Sequence, residues 1–400
     1  MRRVLFTLLA SLGLLLFAGN SMAGANLPIG TDASLNLGYR IQPQLIITQS
    51  SLDGDDELDS YRYFKVRRGR FRLGAKVGDH VTAFLQTDAS NKDVQLIDAW
   101  LNFKVNNWLQ FIMGRNMAAA SRQNLTSSGA LMTIDRPGMA YKSLTWGCRS
   151  RAAFTNSAAP YTGNGSGGSA VPSSPDAVRD NGLTIFGSGD LGPGGNSHLK
   201  YYAGIWNGVQ SGVDDKDRYT FRAQYNLWDA EAGYYNSSTY LGAKKTLGIG
   251  VSYDMQQEVN SYMDGDESML ADYTYMSADV FLELPFSGGS ALTFEGGYMM
   301  LDLDDAFKNS AGTGFYAQAG FYLASGFQPW AEFESWSSDF DESEDGTAGN
   351  YTNWRLGVTY FIEGQHANIK LGYENYKSDV AFLGEEDTIS TFLLGFYTTY

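Results

Sequence analysis

From residue 33 to residue 400 the chain repeats one pattern, stretches of about ten residues in which apolar and polar side chains alternate. Phe71, Leu73, Ala75 and Val77 share one face of such a stretch, and Arg68, Arg70, Arg72 and Lys76 share the other. Ile97, Ala99, Leu101, Phe103 and Val105 alternate with Asp98, Trp100, Asn102 and Lys104. Leu247, Ile249, Val251 and Tyr253 repeat the arrangement, as do Trp354, Leu356, Val358 and Tyr360. A period of two belongs to a strand, whose successive side chains point to opposite faces. After residue 23 no apolar run approaches the ~20 residues that a membrane-crossing helix needs. Strands with one apolar and one polar face suit a cylinder with hydrocarbon outside and water inside.

Sixteen such segments can be placed, starting near Ser34, Arg62, His80, Val94, Trp108, Asn181, His198, Asp217, Leu241, Tyr273, Ser290, Thr313, Phe327, Tyr351, Ala367 and Thr388. Their connections alternate in character. One set is short, as at Gly78-Asp79, Asn106-Asn107 and Ser325-Gly326; the other is longer and acidic, as at 50–60, 256–272 and 338–350. Tight turns at one end and long loops at the other are the mark of a transmembrane antiparallel β-barrel, in which an even strand number returns the chain to its starting side. A soluble sandwich has no reason to sort its connections in this way. The final segment, with Phe392, Leu394 and Phe396 on one face and Tyr400 at its end, reads as the strand that closes the barrel. Tyr201, Tyr202, Trp206, Trp228, Trp330 and Trp336 lie near segment ends and are expected in interfacial girdles.

At the start, Arg2 and Arg3 precede an apolar run over 4–18 and the small-residue site Ser21-Met22-Ala23. This is the form of a secretory signal peptide, residues 1–23, with a barrel domain over 24–400. Its removal takes two positive charges from a formal −15, leaving −17. Cys148 is the single cysteine, so no intrachain disulfide contributes. Two connections break the regularity. The one after Trp228 is long although it lies on the short-turn side, and the one over 116–180 is far longer than the rest and is expected to fold inward as a constriction.

The first part of that long loop is basic, with Arg122, Arg136, Lys142, Arg149 and Arg151 against the single acid Asp135. Its second part, 161–175, is rich in Gly, Ser and Pro. Arg68, Arg70, Arg72 and Lys76 add a basic stripe on one strand face. Each arginine would cost ~2–4 kcal/mol against lipid at mid-depth, so the stripe is expected to line the water-filled interior. Guanidinium groups there favour anions, and their planar donor fork suits phosphate. Asp88 and Asp98 point the same way on neighbouring strands and could pair with the arginines, in which case the stripe serves the wall. The acidic loops, with Asp53, Asp55, Asp56, Glu57 and Asp59 in one and Asp339, Asp341, Glu342, Glu344 and Asp345 in another, read as solvated outer loops. His80, His198 and His366 fall beside short turns and form no catalytic grouping with a serine.

The residues resemble the phosphate-selective porin O/P family. The resemblance rests on Phe64-Lys65-Val66-Arg67-Arg68-Gly69-Arg70-Phe71-Arg72-Leu73-Gly74, then Lys76-Val77-Gly78-Asp79, Gln95-Leu96-Ile97-Asp98-Ala99-Trp100-Leu101 and Ile112-Met113-Gly114-Arg115. Tyr202-Ala203-Gly204-Ile205-Trp206-Asn207-Gly208, Gly233-Tyr234-Tyr235 and Tyr240-Leu241-Gly242 continue it. It implies a 16-stranded barrel, often a homotrimer, with an inward third loop, in the outer membrane of a Gram-negative bacterium. It also implies passive diffusion of small hydrophilic solutes or ions, with anions such as phosphate favoured. Outer-membrane lipid and lipopolysaccharide are the expected surroundings, with no nucleic acid, metal or cofactor and no enzymatic role. A barrel sheath around an electron-carrying cytochrome partner is the alternative left open; the chain has no Cys-x-x-Cys-His of its own.

Overall fold

In the computed structural model the described residues are 25–400, except 51–58, 91–93, 138–178, 193, 209–215, 265–266, 303, 305–310, 340–349 and 379–386. The proposed signal peptide therefore lies outside them.

Seventeen strands form one sheet: β1 (Ala25–Ile29), β2 (Ala33–Ser50), β3 (Asp59–Val77), β4 (Val81–Asp88), β5 (Gln95–Lys104), β6 (Gln110–Met117), β7 (Arg179–Asp190), β8 (Ser197–Trp206), β9 (Arg218–Trp228), β10 (Thr246–Asp264), β11 (Glu267–Pro285), β12 (Ala291–Asp302), β13 (Gly312–Tyr322), β14 (Phe327–Ser338), β15 (Tyr351–Phe361), β16 (Ala367–Ser378) and β17 (Asp387–Thr399). Strands β2–β17 pair antiparallel, each with the next, and β17 returns to pair with β2. The result is a closed sixteen-stranded barrel, as the alternation predicts. Closure leaves no unpaired edge in the hydrocarbon. The extra strand, β1, is a hairpin arm on the first half of β2, with Ile29 opposite Ala33.

The lipid side is apolar. Phe71, Leu101, Ile249, Val251, Phe315, Leu356, Leu371, Phe392 and Phe396 all stand exposed on the outer surface. The inner row is polar, and much of it is buried: Gln44, Arg68, Arg70, Gln86, Asp254, Glu295, Glu334 and Lys370 among them. Burial of a lumen-facing row requires something inside the cylinder. One occupant is the segment 118–137, whose residues from Ala118 to Arg136 are nearly all buried. It includes one short helix, α1 (Arg122–Leu125), capped by the Ser121 hydroxyl, which accepts from Asn124 N.

The inward loop corrects the girdle expectation. Tyr202, Trp206, Trp330 and Trp336 point into the lumen and are buried. Tyr202 packs with Phe186 and with Tyr234, and Trp330 packs with Met132 and Ile134 of the loop. Ile97 was also expected to face lipid. A register irregularity between Gln86 and Thr87 opposite β5 leaves both Ile97 and Asp98 buried. The tight turns are those of short hairpins: Gly326 sits at φ +87°, and a Cβ there would lie 2.8 Å from Phe361 O.

The basic wall and the loop across the lumen

The inward stripe of β3 faces the loop. Arg68, fully buried, donates from Nη1 to Gln42 Oε1 (2.8 Å) and from Nη2 to Asp135 Oδ1 (2.8 Å). Arg67 also reaches Asp135, from Nε to Oδ2 at 2.6 Å. Consecutive residues should face opposite sides. Here β3 carries one residue more than β2 between the pairs Ile41–Gly69 and Pro43–Val66, and this bulge turns both guanidiniums toward one carboxylate. Arg70 donates to Asp88 Oδ2 (2.7 Å) and to Ser128 Oγ (3.2 Å). Arg72, half-buried, holds its guanidinium 5.5 Å from the Phe84 ring centre. Lys76 belongs to the same face but stands at the rim, half exposed, and pairs with Asp79 at 2.9 Å.

Arg40 of β2 joins this wall, and the sequence reading did not single it out. It donates to Thr399 Oγ1 (3.2 Å) and to Ser128 Oγ (2.5 Å), hydroxyls of β17 and of the loop. The loop meets it closely: a Cβ on Gly129 would lie 2.5 Å from Arg40 Nη2. Arg136 donates to Thr126 O within the loop, and its own N–H donates to Asp135 Oδ1 at 3.0 Å. Burial, and next the neighbouring Arg68 guanidinium, disfavour the charged form of Arg136, while Asp135 opposes them. Lys370 on β16 donates to Thr133 O (2.8 Å) and Leu131 O. Lys142, Arg149 and Arg151 lie outside the described residues.

The expected pairing of the arginines with inward acids is met in part. Arg70 pairs with Asp88 as the wall reading expects, while Asp98 pairs with Arg179 of β7 instead, at 2.8 Å. Among the described residues, the guanidiniums of Arg40, Arg68, Arg70, Arg72 and Arg136 gathered near Ser128 outnumber the carboxylates of Asp88, Asp98 and Asp135. A quarter turn away from β3, strands β14 and β16 carry a group of glutamates beside the basic one. Arg355 of β15 serves Glu332, Glu334 and Glu374, with Glu332 in direct contact and Glu374 at 3.9 Å. Glu295 of β12 lies nearer Arg122.

Arg122 is held differently from the β3 stripe. Its two Nη groups donate to the two carboxylate oxygens of Glu231 at 2.9 and 2.8 Å, and its guanidinium lies 4.0 Å from the Phe281 ring centre. Burial would raise the Glu231 carboxyl, but Arg122 and, more weakly, Lys200 hold it down at about 2. Burial likewise works against the charged form of Arg122, and Glu231 and Glu295 overcome it. Glu231 belongs to the long connection after Trp228, which the sequence marked as irregular without assigning a direction.

The loop crosses the lumen. It meets β11 where Ser277 Oγ donates to Ala120 O (3.1 Å), β15 where Thr359 Oγ1 donates to Met132 O (2.7 Å), and β17 where Tyr397 OH donates to Ile134 O (2.7 Å). Contacts with β3 and β11, half a turn apart in the strand order, make it a bar across the cylinder. The three histidines are held at turn contacts: His80 Nδ1 lies 2.7 Å from Lys104 O, His198 Nε2 2.7 Å from Trp228 O, and His366 Nδ1 3.1 Å from Thr399 O.

Residues 42–170 match the family described as phosphate-selective porin O and P. Among curated proteins, none matches the sequence. The chain is similar in structure to the anion-selective porin from Comamonas acidovorans, at 10% identity and a TM-score of 0.57, over 92% of this chain and 100% of that one. It is similar to Salmonella typhi OmpF, in a complex with daunomycin, at 12% identity and a TM-score of 0.57, over 94% and 100%. OmpT of Vibrio cholerae in its trimer form gives 12% identity and a TM-score of 0.53, over 92% and 100%. At these identities the solved structures speak for the fold. The family match, the closed barrel and its apolar exterior place the chain in the outer membrane, as a porin barrel resembling the phosphate-selective porin O and P family.

Proposed function

We propose that this outer-membrane channel passes small hydrophilic solutes by diffusion and favours anions, phosphate among them. The observation that carries the reading is the excess of guanidinium over carboxylate around Ser128, on the wall where the loop crosses. A buried positive cluster lowers the energy of a passing anion and raises that of a cation, and it is screened by salt far less than charges on the outer loops. Planar, bidentate arginine donors suit a phosphate oxygen pair better than a lone halide. The family match over 42–170 and the anion-selective porin among the structural neighbours support the same reading. A porin neighbour solved in trimer form supports assembly as a homotrimer, with lipid and lipopolysaccharide around the exposed apolar belt. A lumen crossed by its own loop speaks against a cytochrome threaded through the barrel.

The test is the zero-current potential in planar bilayers under a KCl gradient, repeated with potassium phosphate. The expected sign is that of anion permeation. A potential of cation sign in both salts overturns the anion reading and leaves the channel itself standing.

A further inference from the structure

The connection 229–245 has no need to be long. Trp228 pairs with Thr246 across the β9–β10 ladder, so a tight turn would join them, as at the other short-side connections. Instead it enters the lumen, where Glu231, Asn236, Ser238 and Thr239 are buried. Trp228 and Leu241 both hold positive φ, 71° and 55°, a conformation that bulky residues keep only when their surroundings impose it.

Inside, it meets the loop that descends from the opposite mouth. Asn236 N donates to Leu125 O and Ser127 N to Asn236 O, both at 2.9 Å, and Ser238 N donates to Ala130 O at 3.0 Å. The two backbones run side by side at Thr126 and Asn236 as a short parallel bridge. Arg122 and Glu231 join them through paired charged hydrogen bonds. Tyr234 OH donates to Met117 O at 2.6 Å, at the root of the loop. The barrel grips the connection as well: Glu283 accepts from Tyr240 N (2.7 Å) and Gly242 N (2.6 Å), and Lys200 donates to Glu231 O (3.0 Å) and Asn236 Oδ1 (2.8 Å).

We propose that 229–245 is a latch that fixes the loop across the lumen and thereby sets the aperture, with Arg122 and Glu231 as its positioning pair. The inference rests on the channel reading above. Held by the latch, the loop leaves only the gap beside the joined segments for solute. Freed from it, the loop loses its central support and the cross-section widens.

The test compares three proteins: the parent, a variant in which Asn-Gly replaces 229–245, and Glu231→Gln. Heat-shifted gel mobility and a β-sheet circular dichroism spectrum confirm folding. Single-channel conductance and the size limit for neutral sugars in liposome swelling are then read; uncharged sugars remove the effect of altered charge. The shortened variant is expected to conduct at least twofold more than the parent and to admit sugars that the parent excludes. Glu231→Gln is expected to move both readings the same way by less. A folded shortened variant with the parent's conductance and sugar limit, or lower values, overturns the latch. If that variant does not fold, unchanged readings for Glu231→Gln overturn it. A silent parent beside a conducting shortened variant supports the latch in its extreme form. Silence of every folded protein overturns the channel reading and the latch together.

Discussion

Asp135 is the carboxylate on which the charge of the basic wall turns, since it receives both Arg67 and Arg68. Asp135→Asn should raise the anion-to-cation permeability ratio by roughly threefold, the factor given by about 0.7 kcal/mol for one charge several ångströms from a solute in a hydrated lumen. Reversal potentials of the folded variant check this. Glu231 makes a prediction in pH. Its carboxyl is held at about 2, below the ~4.3 of an unfolded chain, so its contribution is fully present above ~4.3 and is lost as pH falls toward about 2. Conductance should therefore hold steady from pH 7 to about 5 and rise only in strong acid, as bilayer recordings across that range will show. At this scale period two sufficed for Arg68 and Arg70, because the lipid cost of the alternative leaves them one side to occupy. Arg67 and Ile97 were illegible because a bulge or register irregularity, which no local composition announces, breaks the alternation beside them. Tyr202 and Trp330 were misplaced for another reason: an aromatic at a strand end suits either the interface or a loop packed inside, and the strand alone does not distinguish them.

Among elements, the sixteen barrel strands were legible, since each had to solve the same problem of a dry face and a wet one, but 256–272, read as a long acidic loop, is mostly strand: β10 runs on to Asp264 and β11 starts at Glu267, a polar hairpin that alternation against lipid does not mark. The arm β1 was not, because Ala25–Ile29 carries no alternation of burial, all five residues being exposed. The same logic makes the two faces of β17 unequal to substitution. Phe392→Arg, at the middle of β17, places a charge in hydrocarbon at a cost of ~2–4 kcal/mol near mid-depth and should abolish most of the heat-shifted folded band. Thr391→Lys, on the inner row, should leave the band intact. For the inward loop, length and basic character were legible but the path was not, since it depends on wall residues distant in the chain such as Glu295, Lys370 and Tyr397. Gly129→Val tests that path. Its side chain would press on the Arg40 guanidinium, so the loop must shift, and single-channel conductance should change while the folded band persists.

For the whole molecule, the division into a guanidinium-rich wall and a glutamate-rich one bears on bulk behaviour. Charges shielded within the lumen keep more of their influence in salt than those on the outer loops, so selectivity should decline between 0.1 and 1 M KCl without reversing. Reversal potentials across that series provide the measurement. The two inward segments also have a consequence for the order in which the molecule is built. They spring from the ends of β6 and β9, within a contiguous run of neighbouring strands, β6–β10. They can therefore find each other on an open sheet, while β17 and β2 are still apart. The remaining wall then wraps a filling that already exists, and inserting one afterwards through a finished mouth becomes unnecessary. An assembly in that order would be a casting around a core, with the seam sealed last.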